Sequence, residues 1–393
     1  MDDYALHEAM IALRARMVSR CLALLVWLAE LQARGAAGAK IGFAKMVAQK
    51  PRRRHYSTGD EALDGRIVEL VAVAGPSHDS DLLEEMIKTC FRLDRDRSDR
   101  GEMKLVNAAL KEFAYAFKVF KGYKSYRKVG IFGSARSVQQ DPAYEVTRNF
   151  AAAIAAKNWM VITGAGPGIM AAGHEGAGAE RSFGAAIRLP MESEPNLFIE
   201  GDAKLINFKY FFTRKVTFLK ESDAFALLPG GFGTLDEAFE LLTLMQTGKS
   251  DVKPIILLEE PGGTYWTEWL RFVHGHLLDR GLISKEDLVL LRRTETVEQA
   301  VDEIVHFYSN YQSQRYVNGR LVVRILRLPS NEELKALALS FADILGEQAL
   351  ELVEASAREI EDGDALELRR LAVDFNQTSF GRLRQLIDEL NRY

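Results

Sequence analysis

Three short stretches decide the fold: Lys128-Val-Gly-Ile-Phe-Gly-Ser-Ala-Arg136, Met160-Val-Ile-Thr-Gly-Ala-Gly-Pro-Gly168 and Ala224-Phe-Ala-Leu-Leu-Pro-Gly-Gly-Phe-Gly-Thr234. Each is a brief apolar run that ends on a glycine-rich turn. Each is followed by a helical pattern: Tyr144 to Lys157, a helix opening at Gly168, and Leu235 to Thr247. Short apolar strands alternating with helices of about ten residues or more mark βαβ units and a parallel sheet buried on both faces. The pattern continues through strands at Gly184 to Leu189, Pro254 to Leu258 and Leu288 to Leu291, with helices across Trp266 to Asp279 and from Val297. The expected fold is a doubly wound, Rossmann-like α/β sheet over residues 127–312, with helical extensions at both ends.

The flanks read differently. Residues 1–60 are rich in Ala and Arg, predicting a helix over Ala9 to Ala33, a Gly/Ala hinge and a basic run, Lys50-Pro-Arg-Arg-Arg-His55. Such a run reads first as a solvated tail. Residues 80–123 carry apolar positions at three- and four-residue spacing, which predicts two amphipathic helices whose aromatic stripe is packing surface. Residues 320–393 begin with a strand, Arg320 to Arg327, and then read as helical: Ser330-Asn-Glu-Glu333 forms a capping box, and a second helix is expected after Gly363.

Composition limits the function classes. The 393 residues are 47% hydrophobic and 27% charged, an ordinary globular balance. Lys and Arg number 51 against 55 Asp and Glu, so no global basic field favours nucleic acid and any anion site must be local. Two cysteines, Cys21 and Cys90, are too few for a disulfide scaffold or a thiolate zinc site; both are expected to be buried thiols in a reducing cytoplasm. No apolar run is long enough to span a bilayer, and Asp2, Asp3 and Glu8 stand where a basic secretory leader would begin.

The chemistry gathers at the turns. Gly133-Ser-Ala-Arg136, Gly164-Ala-Gly-Pro-Gly168 and Pro229-Gly-Gly-Phe-Gly-Thr234 all follow strands, where an α/β sheet opens its ligand crevice. Glycines let backbone N–H groups approach a phosphate closely, and a following helix adds its positive end. Gly166, Gly168, Gly230, Gly231 and Gly233 supply such a cradle, with the hydroxyls of Ser134 and Thr234 as further donors. A dinucleotide site fits less well, since the second turn follows the second strand and no acidic residue stands about 20 positions later. A Walker A lysine is also absent.

Thr213-Arg214-Lys215 falls on a helix. Neighbouring helical residues point about 100° apart, so Arg214 and Lys215 are expected to face different spots. Thr234-Leu-Asp-Glu237 has capping-box spacing, which would bond Glu237 back to the helix entrance. The first helical turn also favours its ionised form, suited to stabilising positive charge and poorly suited to donating a proton.

Thr213-Arg-Lys215 followed by Pro229-Gly-Gly-Phe-Gly-Thr-Leu-Asp-Glu237 is similar to the paired signature of the Lonely Guy (LOG) family, Arg-Lys then PGGxGTxxE. Gly164 to Met170 with Gly176-Ala177 resembles the family's GGGPGxM…GA loop, with Ala165 in place of the middle glycine and Ala171 in place of an acidic residue. The resemblance spans roughly residues 80–327. It implies hydrolysis of the N-glycosidic bond of a nucleoside 5′-monophosphate, cytokinin riboside monophosphate or AMP-like, to free base and ribose 5-phosphate. It implies no metal or redox cofactor, a homodimer or higher assembly with sites near the subunit interface, and no membrane or nucleic-acid partner.

Carried over position by position, Glu237 and Arg214 are the catalytic candidates, and Ser134, Gly164, Gly166, Gly168, Met170, Lys215, Gly230, Gly231, Gly233 and Thr234 the substrate- and phosphate-binding ones. The older label of lysine decarboxylase finds no lysine placed as a Schiff-base partner for pyridoxal phosphate. Two other readings share these motifs. One is a nucleotide-binding or molybdenum-cofactor-carrier protein without hydrolysis, kept open by Ala165 and Ala171. The other is a DNA-processing protein, resting on Lys50 to His55. Base preference is not legible: Met170, Phe232 and the segment Pro190 to Phe198 serve equally as base contacts or as packing.

Overall fold

The computed structural model describes residues 56–75, 77, 79–188 and 194–393. The helix expected over Ala9 to Ala33, the Lys50 to His55 run and Cys21 lie outside the described residues, as does part of Pro190 to Phe198. The chain divides into two units, residues 1–103 and 104–393.

In the first unit, helices α1 (Glu61–Val73) and α2 (Ser80–Arg95) are described. Asp60 caps α1, its carboxylate accepting the N–H groups of Ala62 and Leu63 at 2.9 and 3.0 Å. Asp64 accepts the Ser57 hydroxyl and the Thr58 N–H, which pull its carboxyl down to about 2. Cys90 is exposed, against the buried thiol expected. The buried position on α2 is Lys88, and a residue two places on points about 200° around the helix, to the open side.

Helix α3 (Arg100–Lys121) starts in the last residues of the first unit and lies mostly in the second, which also holds a seven-stranded sheet. The strands are β1 (Lys128–Phe132), β2 (Met160–Thr163), β3 (Ser182–Ile187), β4 (Leu205–Phe208), β5 (Ala224–Leu227), β6 (Ile255–Leu258) and β7 (Leu291–Thr294). Their order is β4-β3-β2-β1-β5-β6-β7, with every pairing parallel. Between them run α4 (Pro142–Ala156), α5 (Ile169–Ala177), α6 (Phe211–Glu221), α7 (Phe232–Gln246), α8 (Tyr265–Phe272) and, after β7, α9 (Val297–Phe307). This is the doubly wound architecture expected. Strand β4 had no expectation behind it, and β7 lies three residues beyond its expected start because Glu286–Leu290 forms a 3₁₀ turn.

Side-chain alternation builds two cores. Val129 and Ile131 of β1, Ala224 and Ala226 of β5, and Ile256 and Leu258 of β6 face α4 and α9. Phe225 and Leu227 point the other way, toward Phe120 of α3, Phe218 of α6, and Ala238 and Leu241 of α7. The chain reverses its winding between β1 and β5, and the carboxyl ends of those two strands open onto one crevice.

The carboxy-terminal part corrects the helical reading. It is a four-stranded antiparallel sheet of β8 (Tyr311–Val317), β9 (Arg320–Ile325), β10 (Leu345–Val353) and β11 (Arg369–Phe375), in the order β10-β11-β9-β8. Helices α10 (Asn331–Ser340), α11 (Ala357–Asp362) and α12 (Phe380–Leu390) accompany it. Asn318 and Gly319, with φ of 52° and 87°, make the two-residue turn that pairs β8 with β9. The Ser330–Glu333 capping box is present. The helix expected after Gly363 is α12, but β11 precedes it, and Leu371, Val373 and Phe375 enter the core at the two-residue period of a strand.

Candidate active site

The three glycine turns meet in one cleft of about 910 Å³ at the carboxyl ends of β1, β2 and β5. Backbone hydrogen bonds lock them together: Ser134 N–H donates to Pro229 O at 3.1 Å, Ile169 N–H to Ser134 O at 3.0 Å, and Leu228 N–H to Phe132 O at 2.8 Å. Of the expected site residues, Ser134, Gly164, Gly166, Met170, Arg214, Gly230, Gly231, Gly233 and Thr234 line the cleft. Among the described lining residues the charged ones are Arg136 and Arg214, so the wall is cationic and suits an anion.

The glycines differ in their reasons. Gly168 has φ of 67°, and a Cβ there would lie 2.3 Å from Ser134 O, so it serves the turn and does not form part of the cleft wall. A Cβ on Gly230 would meet Thr234 Oγ1 at 2.2 Å. At Gly231 and Gly233 a Cβ would meet nothing within 4 Å; their bareness leaves open space at the amino end of α7, whose first N–H groups lack partners within the helix. Ala165 holds the left-handed conformation at φ 63°, its N–H on Thr163 Oγ1 at 3.1 Å and its carbonyl on Asn196 N–H at 2.8 Å.

Glu237 stands behind this wall, 4% exposed, on the second turn of α7. The capping box expected of it does not form: Gly231 is the N-cap, no side chain caps the helix, and the Glu237 carboxylate turns to α6. Lys215 Nζ lies 3.2 Å from Glu237 Oε1, and an Arg214 terminal nitrogen lies 3.7 Å from the same oxygen. Successive residues on α6 therefore do converge on one atom, because long side chains curl back across the 100° between their Cα–Cβ directions.

Burial raises the Glu237 pKa above its ordinary 4.5, while Lys215 and Arg214 pull it down. Desolvation thus outweighs the helix-end effect expected from sequence. The same burial lowers the Arg214 pKa, with Glu237 opposing it. Arg214 stacks over Phe211 and Phe218 at 5.5 and 5.7 Å, and its buried Nε has no partner among the described residues.

Lys215 corrects the expectation of a phosphate contact. Its ammonium is held by Asp236 at 2.8 Å and Glu240 at 2.6 Å as well as by Glu237, and it is not part of the cleft wall. Desolvation opposes its charge, but Asp236 and Glu240 prevail and raise its pKa. Its place is to neutralise the carboxylates behind the cleft.

Several residues that shape the site went unread. Glu112 of α3 accepts the Lys209 N–H at 2.9 Å and the Thr213 hydroxyl at 2.5 Å, fixing the start of α6. Tyr265 donates to Gly230 O at 2.6 Å, and Asn207 and Arg136 line the cleft. Only Arg136 had a sequence signal, as the last residue of the first turn. Among the described residues no cluster of His, Cys, Asp or Glu is placed to hold a metal ion, and no helix is long and apolar enough to cross a membrane.

The family model described as "Possible lysine decarboxylase" matches residues 165–304. A cytokinin riboside 5′-monophosphate phosphoribohydrolase of Mycobacterium tuberculosis is 32% identical over 159 residues, 40% of this chain and 82% of that protein. The Arabidopsis thaliana enzyme of that name, LOG3, is 35% identical over 94 residues, 24% of this chain, which spans 42% of its length. LOG4 of the same plant is 33% identical over 100 residues, 25% of this chain and 45% of its own length. The chain thus spans less than half of these plant relatives. A solved molybdenum cofactor carrier protein of Chlamydomonas reinhardtii is 20% identical, covering 46% of this chain and 98% of its own, with a TM-score of 0.32. With the mycobacterial relative matched over most of its length, this chain belongs to the LOG family.

Proposed function

We propose that the cleft hydrolyses the N-glycosidic bond of a nucleoside 5′-monophosphate, giving free base and ribose 5-phosphate. The observation that carries this reading is the convergence of a buried carboxylate, Glu237, and a cleft-lining guanidinium, Arg214, beside helix N–H groups at Gly231 to Gly233 that have no backbone partner among the described residues. The 5′-phosphate would sit on that helix entrance with Ser134 and Thr234. Phosphate binding away from the reacting carbon supplies positioning.

Breaking the bond develops oxocarbenium character at C1′, which an ionised carboxylate stabilises while orienting water. At 3.7 Å the Arg214–Glu237 pair is longer than a hydrogen bond, and Arg214 Nε has no partner among the described residues. Movement of Arg214 toward the nucleotide would uncover Glu237 to the sugar. The names of the relatives support the substrate class. We assign the compartment as cytoplasmic and the assembly as a homo-oligomer; exposed Phe212, Val216 and Phe239 on α6 and α7 support the latter.

The test is product analysis with AMP, a cytokinin riboside monophosphate and adenosine. The reading expects base and ribose 5-phosphate from a monophosphate and none from adenosine. Equal turnover of adenosine would remove the phosphate cradle, and tight AMP binding without base release would select the carrier reading.

A further inference from the structure

Beneath the Gly164–Gly168 turn lies a polar pair, one member buried and one half-buried, that the proposed hydrolysis does not use. His174 of α5 is fully buried. Its Nε2 lies 3.0 Å from Phe183 O, which only accepts, so Nε2 carries the proton; Thr163 Oγ1 lies 3.0 Å from the same nitrogen. In the neutral ring the other nitrogen, Nδ1, is then bare; of the two Asn196 amide atoms beside it, Oδ1 at 3.2 Å and Nδ2 at 3.1 Å, it accepts from Nδ2.

Asn196 Nδ2 donates its second hydrogen to Gly166 O at 2.9 Å, which fixes the orientation of the amide. The Asn196 backbone N–H takes Ala165 O at 2.8 Å. One residue thus binds two successive carbonyls of the turn, and one imidazole holds that residue's side chain. Gly166 lines the cleft, and its N–H has no backbone partner among the described residues.

We infer that His174 and Asn196 are a positioning pair that sets the Gly164–Gly168 turn so that its amides face an anionic ligand. The inference rests on the nucleotide reading of the cleft. Neither residue touches the reacting atoms. An acceptor at Nδ1 and both hydrogens of the Asn196 amide are required together, so the two side chains act as one unit.

The test uses the full chain with AMP as probe, measured by calorimetry, alongside nitrogen NMR of His174. His174→Leu and Asn196→Ala should each weaken AMP binding at least about tenfold, the scale of one hydrogen bond to a charged group. The double variant should be no worse than the weaker single one. His174→Asn keeps an acceptor near the Nδ1 position and should recover most of the affinity. In base release the loss should fall on KM with kcat nearly kept, and the wild-type NMR signature should be a bare Nδ1.

If His174→Leu fails to fold, Asn196→Ala, on a half-buried loop, decides the matter. Additive effects, a protonated Nδ1 at neutral pH, or AMP affinity within twofold of wild type in both single variants would overturn the pair. Wild-type protein that binds AMP without releasing base refutes hydrolysis and leaves these binding comparisons decisive for the pair. Wild-type protein that fails to bind AMP overturns both.

Discussion

Gly168 and Gly231 are separated by function, and alanine at each should prove it in opposite ways. A methyl at Gly168 would stand 2.3 Å from Ser134 O and 2.7 Å from the Ala135 carbonyl carbon, both backbone atoms. The position has φ 67° and ψ −132°, a region costing a side-chain-bearing residue about 1–3 kcal/mol. Relieving the clash moves Ser134, which endangers the Ile169–Ser134 and Ser134–Pro229 bonds, each worth about 1 kcal/mol. The total is roughly 3–5 kcal/mol, or a fall in Tm of about 10 °C for a unit of this size.

Gly231 has φ −87°, allowed for alanine, and no atom within 4 Å of the added methyl. Gly231→Ala should keep Tm within about 2 °C and lose at least about tenfold in AMP affinity, a change of about 1.4 kcal/mol. The assays are differential scanning calorimetry and titration calorimetry. A stable Gly168→Ala, or a Gly231→Ala that binds AMP normally, would refute this division between a structural glycine and a ligand-facing one.

Three further outcomes rest on the same geometry. Ala165→Gly relieves about 1–2 kcal/mol of left-handed strain but gives up a buried methyl worth about 0.8 kcal/mol and loosens the unfolded chain, so thermal unfolding should show a change under about 1 kcal/mol. Burial holds the His174 pKa below its ordinary 6.5, opposed by the hydrogen bond to Phe183 O and by Asp202, itself paired with Lys204. Below pH 6.5 the unfolded chain therefore binds the proton first and stability falls as pH drops; denaturant melts of His174→Asn should lack that component, at most about 1.4 kcal/mol per pH unit. Lys215→Met removes a cation 3.2 Å from Glu237, so the Glu237 pKa should rise and the acidic limb of the kcat/KM profile should move to higher pH, whereas a loss confined to phosphate affinity would restore Lys215 as a ligand contact.

Much of the fold was legible because its strands are buried on both faces and end on glycines. The strand expected at Lys128 to Phe132 and that expected at Met160 to Thr163 match β1 and β2 residue for residue. Leu205–Phe208 escaped notice because it is only four residues long and only Ile206 and Phe208 of them are buried. The carboxy-terminal strands were misread for a related reason: Leu345–Val353 is exposed or half exposed along its length, which removes the buried alternation that marks a strand.

At the site, motif spacing located the three turns and the α6–α7 pair, since local backbone geometry sets those. Spacing could not show that Lys215 is spent on Asp236 and Glu240, or that Glu112, 101 residues before Thr213, anchors α6. Such contacts arise from packing between elements distant in the chain. Nor could it foresee that Glu237 would leave its cap for two cations, since burial rather than the local helix end sets its environment.

The central claim is that the Glu237 carboxylate, and not the cleft's affinity for a nucleotide, breaks the glycosidic bond. Glu237→Gln keeps the side chain's size and removes its charge. Measured as release of free base from AMP, with AMP affinity determined on the same protein, the variant should lose at least about 100-fold in kcat while binding AMP within about threefold of wild type. A Glu237→Gln protein that releases base at the wild-type rate would contradict the account.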